Sequence, residues 1–141
     1  LQNMVFGGYN KRVEHPRTEY DWLTRDAKEV DAYIAHPSCG FMATTGLLRD
    51  LLTGIQFIER KENLAKMKKD LPVLFIAGGD DPVGAYGKGV LRAVEEFQKA
   101  GMKDVEKRIF PLGRHEILNE INRQEIYEFT SNWMDRQVEK K

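Results

Sequence analysis

The chain has 141 residues, 41% of them apolar, with 22 basic side chains against 22 acidic ones; this is the length of one ordinary globular domain with no net charge. Neither sign forms a block long enough to grip a polyanion, so nucleic acid is not an expected partner. The longest unbroken apolar run, Val73 to Ala77, falls far short of the roughly 20 residues that span a bilayer, and LQNMVFGGYN lacks the basic start and apolar stretch of a signal peptide.

The first residue, Leu1, is not an initiator methionine, which predicts that the sequence is part of a longer chain. From Leu1 to about Arg17 it is rich in turn formers: Gly7, Gly8, Asn10 and Pro16. Thr24 is placed to cap a helix with Ala27, Val30, Tyr33 and Ile34 at helical spacing, and Pro37 after His36 should end it. The loop PSCGFMATT follows. Leu47, Leu48, Leu51, Leu52, Ile55 and Ile58 then mark a second helix whose apolar stripe is wider than a small surface helix needs, so a covering surface is expected.

A short amphipathic segment around Leu64 and Met67 leads through Pro72 into VLFIA, an apolar run without polar alternation. That pattern fits a parallel strand buried on both faces, with helices above and below and a partner on each edge. Helix should resume near Tyr86 and run through Val90, Ala93, Val94 and Phe97 to Gly101, a good terminating residue. DVEKRIF reads as a second, more polar strand, and a last helix carries Ile126, Phe129, Trp133 and Met134 on one side. QVEKK reads as a solvated tail. Strand, helix, strand, helix is the pattern of a crossover unit in an α/β fold. Val105 to Phe110 is the only other convincing strand, so self-association of the isolated chain is expected.

Chemistry in such a fold gathers at the carboxyl ends of the strands. Asp81 follows the first strand in LPVLFIAGGDDPVG, and His115 follows the second in PLGRHEILNE, 34 positions later. An imidazole can take a proton from a serine hydroxyl near neutral pH, and a carboxylate can hold that imidazole in one tautomer. Asp80-Asp81-Pro82 also suits a plain turn, and a loop histidine is commonly just solvated. Ser38 and Ser131 are the only serines, and neither lies in a G-x-S-x-G turn. The sequence therefore offers acid and base without a recognisable nucleophile.

The remaining candidates are weaker. His15 and His36 precede prolines and read as exposed loop residues. Cys39, the single cysteine, cannot form an intrachain disulfide, which fits a soluble, cytoplasmic protein; it reads as a small buried thiol. No CxxC or HExxH spacing occurs, so no metal or organic cofactor is expected. Gly78-Gly79 before two acids does not read as a phosphate cradle.

LPVLFIAGGDDPVGAYGKGV with GRHEILNE resembles the C-terminal part of bacterial α/β-hydrolases of the lysophospholipase and monoacylglycerol-lipase type, also called serine aminopeptidase-like. FGGYNKR, TEYDWLTRDAKEVDAYI and PSCGF resemble the cap segment that precedes those strands. The resemblance implies an α/β-hydrolase fold divided into a helical cap segment with its return helix, 1–70, and the C-terminal part of the core, 71–141. It implies Asp81 as triad acid and His115 as base, an ester of the lysophospholipid or monoacylglycerol class as substrate, and no cofactor. The missing N-terminal part of the same protein is then a partner of these residues. Trp22, Phe41 and Leu48 are candidates to line an acyl-chain pocket, with ordinary cap core as the competing reading. Two rivals differ in class. Paired acids after an apolar strand also suggest a flavodoxin-like or phospho-receiver domain, but too little chain follows Asp81 for the units that should come next in a receiver. A non-catalytic module on the same fold, binding a small molecule or a protein, is the other.

Overall fold

The structure is a computed structural model that describes residues 7–140; Leu1 to Phe6, including the start of FGGYNKR, and Lys141 at the tip of the tail lie outside the described residues. A 3-10 turn at Tyr9–Arg12 precedes α1 (Ala27–Ala35), α2 (Thr45–Ile58) and the short α3 (Lys61–Leu64). Then come β1 (Val73–Gly78), α4 (Lys88–Lys99), β2 (Val105–Phe110), a 3-10 turn at Ile117–Asn119, and α5 (Arg123–Glu139).

β1 and β2 pair in parallel, from Val73 opposite Val105 to Gly78 opposite Phe110. A parallel pair needs a crossover connection, and α4 supplies it. Successive strand residues point to opposite faces. Phe75 meets Phe97 of α4 edge-on at 5.0 Å, while on the other face Ile76 packs against the cluster of Phe110, Ile117 and Ile126, as does Phe129. Trp133 Nε1 donates to Glu106 at 3.0 Å, fastening α5 to β2.

Several local expectations change. The α1 cap is Asp26, whose side chain accepts from Lys28 N–H; Thr24 instead is buried, accepts from Asp26 N–H and donates to Asn119 C=O at 2.8 Å. α4 begins at Lys88 because Ala85, Tyr86 and Gly87 adopt consecutive left-handed conformations, with φ of 49°, 57° and 83°. The α4 terminus follows the glycine reading: Gly101 has φ 91°, and Met102 N–H returns to Phe97 C=O while Gly101 N–H returns to Gln98 C=O. Within β1 only Ala77 and Gly78 are fully buried. Among the described residues the sheet has two strands, each with an open edge, so VLFIA is only partly covered where full burial was expected. Met134 is exposed, off the buried side of α5. Among the described residues no helix is long and apolar enough to cross a membrane.

Candidate active site

The turn after β1 is built around the Asp81 carboxylate. Oδ1 accepts from Val83 N–H at 2.9 Å and Oδ2 from Gly84 N–H at 3.2 Å, so the acid organises its own loop. Pro82 continues the turn without needing a donor. Asp81 is buried, and His115 Nδ1 stands 3.1 Å from its Oδ1. An ionised carboxylate only accepts, so Nδ1 carries a proton, and in the neutral ring Nε2 keeps its lone pair. Among the described residues Nε2 has no hydrogen-bond partner.

Two opposing effects act on the acid. Burial works against ionisation of Asp81, but the His115 hydrogen bond and charge, with the Val83 and Gly84 N–H groups, outweigh it and hold the carboxyl below its ordinary 3.8. The hydrogen bond to Asp81 raises His115 above its ordinary 6.5; burial opposes the rise, and the charges of Asp81 and Glu116 add to it. Acid and base thus favour a charged pair. Asp80 takes no part in it: its N–H donates to Gly113 C=O, and the residue lines a separate recess of about 350 Å³ with Arg12, Glu14 and Arg114.

The segment before α1 lies against the His115 loop. The Trp22 ring sits 5.3 Å from the imidazole, centroid to centroid, and meets Tyr9 edge-on at 4.9 Å. Trp22, Phe41 and Leu48 all line one cavity of about 490 Å³, together with Tyr20, Tyr33 and Leu51. Its wall is largely apolar, and Trp22 belongs both to that wall and to the surroundings of His115. Phe41 is 61% exposed, against its reading as cap core, while Trp22 is buried. Cys39 is only half-buried and opens on the same cavity, which corrects the buried-thiol reading. His15 and His36 are exposed loop residues; His36 Nδ1 accepts from Ser38 N–H. Ser38 lines the cavity and Ser131 lies on α5, and no hydrogen bond joins either to His115. Among the described residues no group of three or more His, Cys, Asp or Glu side chains is placed to hold a metal ion.

Glu120 is the residue that sequence reasoning passed over. It is fully buried, forms an ion pair with Arg25 at 2.8 Å, and accepts from Arg114 N–H at 2.8 Å beside His115. An acid between the apolar Ile117-Leu118 and Ile121 was the one available signal.

The family model described as serine aminopeptidase, S33, matches residues 4–122. A highly thermostable carboxyl esterase from Bacillus coagulans, solved in complex with glycerol, is 29% identical with a TM-score of 0.78, over 94% of this chain and 44% of that one. A lipase in its open form is 28% identical with a TM-score of 0.74, over 95% of this chain and 44% of that one. The chain therefore spans less than half the length of the solved structures it matches. None of the curated proteins matches it.

Proposed function

Because this chain belongs to the serine aminopeptidase S33 family of α/β hydrolases, we propose that it carries the acid and base of a serine-dependent carboxylic ester hydrolase. Asp81 is the acid and His115 the base. The nucleophile and the groups that hold the oxyanion lie outside these residues, which form part of the α/β-hydrolase domain: 1–70 as cap segment and return helix, 71–141 as the C-terminal part of the core. The observation that carries the reading is the buried Asp81 carboxylate 3.1 Å from His115 Nδ1, at the carboxyl ends of paired parallel strands.

The chemistry follows from the tautomer. With Nδ1–H donating to Asp81, Nε2 takes the proton from the serine hydroxyl as the oxygen attacks the ester carbonyl. Asp81 stabilises the imidazolium, which returns the proton to the departing alkoxide as the C–O bond breaks. A water then gives its proton to the same nitrogen and attacks the acyl carbonyl, and the imidazolium returns that proton to the serine oxygen as the acyl bond breaks and the acid leaves. The apolar cavity that shares Trp22 with the base suits a single acyl chain, so a monoacylglycerol or lysophospholipid is the proposed substrate class.

The test uses the full-length enzyme assayed on a monoacylglycerol. Asp81→Asn should lower kcat by about 10⁴-fold, because the amide holds the imidazole in the wrong tautomer, and Asp80→Asn should cost far less. Undiminished turnover in Asp81→Asn would sink the assignment. No turnover by the intact protein on any ester would favour the binding-module reading.

A further inference from the structure

A histidine with 38% of its side chain exposed is not held by one hydrogen bond. The bond to Asp81 fixes Nδ1, but the direction of Nε2 also depends on the backbone beneath the ring. That backbone is fastened to the segment before α1 by a set of contacts converging on Glu120. Oε1 accepts from both Arg25 N–H at 3.2 Å and Arg114 N–H at 2.8 Å. Oε2 accepts from Arg25 Nε at 2.8 Å and Ile121 N–H at 3.2 Å. Arg114 returns the connection, its Nη1 donating to Asp21 C=O at 2.7 Å and Thr24 C=O at 3.1 Å. On the other side of the histidine, Glu116 N–H donates to Leu23 C=O at 2.7 Å.

We propose that Glu120 is a positioning residue for His115, clamping residues 21–25 to the 113–116 loop so that the Trp22 ring and the imidazole keep their contact. A buried ion pair is weak evidence for stability alone, since a well-packed apolar replacement often serves as well. Here each carboxylate oxygen accepts two hydrogen bonds, and the two backbone donors on Oε1 come from the two segments being joined. A fully satisfied buried network of this kind specifies one arrangement. The same clamp couples the apolar cavity, through Trp22 in its wall, to the aim of the base. The proposal rests on the reading of His115 as that base.

The test is carried out on the full-length protein with ¹⁵N-labelled histidine. It follows the titration of His115, its contact with Trp22, and kcat and KM on a short-chain ester. Asp81 and Glu116 are the titratable groups acting on the ring, and both stay in place in the Glu120 variants. Glu120→Ala should move the His115 midpoint down toward its ordinary value, abolish the Trp22 contact and lower kcat by roughly 10²-fold with KM little changed. Glu120→Gln keeps one acceptor oxygen for the Arg25 and Arg114 amides and should fall between wild type and Ala; it decides the matter if Glu120→Ala does not fold. A folded variant with an unmoved midpoint and full kcat would overturn the proposal, and so would loss of fold in both. Asp81→Asn serves as the control. If it too leaves the midpoint unmoved, the failure belongs to the Asp81–His115 reading and not to Glu120.

Discussion

Gly78 lies so close to the backbone of Gly113 that it tolerates no side chain: a Cβ on Gly78 would strike the carbonyl oxygens of Gly113 and Arg114, while one on Gly113 would stand 3.3 Å from Gly78 Cα and meet the Ile117 side chain at 2.5 Å. This approach brings the turn after β1 against the loop after β2, with Asp81 and His115 on its two sides. Asp80 N–H donating to Gly113 C=O at 2.8 Å closes the contact.

Gly78→Ala should therefore destabilise the protein by roughly 1–3 kcal/mol, the usual cost of forcing extra atoms into a packed site. The obstacle is backbone, which cannot swing aside as a flexible side chain would. Urea unfolding would measure the loss, and the histidine titration should show His115 drifting toward its ordinary value as the loops separate. An unchanged urea midpoint would mean that the two loops have room to part freely.

The pH dependence of the pair has a definite sign. Asp81 is held below its ordinary 3.8, so its contribution to stability is present above that pH and lost as pH falls through the lower folded value. His115 is raised above 6.5, so its contribution is full below that pH and lost as pH rises through the higher folded value. The stability gap between wild type and His115→Gln should accordingly be widest between those two pH values and narrow on both sides. Urea unfolding at a series of pH values would show it. A gap that grows steadily toward alkaline pH would contradict the pairing. In the full-length enzyme the same raised value should place the acidic limb of kcat/KM above pH 6.5, because the base acts only when neutral.

The apolar face of α2 carries a prediction about association. Leu47, Leu51, Leu52, Ile55 and Ile58 are all exposed, and so is Phe57, making a patch that a lone soluble chain rarely tolerates. Expressed by itself, the 141-residue chain should bind a hydrophobic dye and exceed monomer mass by light scattering, and Leu51→Lys with Leu52→Lys should reduce both. A compact monomer without dye binding would show that this face is satisfied within these residues.

The periodic and local features were readable from the residues alone. The stripe from Leu47 to Ile58 forms α2, and VLFIA and DVEKRIF form the parallel pair, because helix and strand periods are short-range properties of side-chain placement. Residue type and position at strand ends singled out Asp81 and His115, since few side chains can exchange protons near neutral pH. Where local signals competed, tertiary contacts chose: Thr24 and Asp26 are both good caps, and Thr24 was drawn away by Asn119 C=O, 95 positions distant in the chain. Glu120 meeting Arg25 across a similar span, Gly78 meeting Gly113, and Trp22 lying on the His115 ring leave no periodic trace. Such contacts depend on how the elements pack, and only the folded chain brings residues so far apart in sequence within reach of a hydrogen bond.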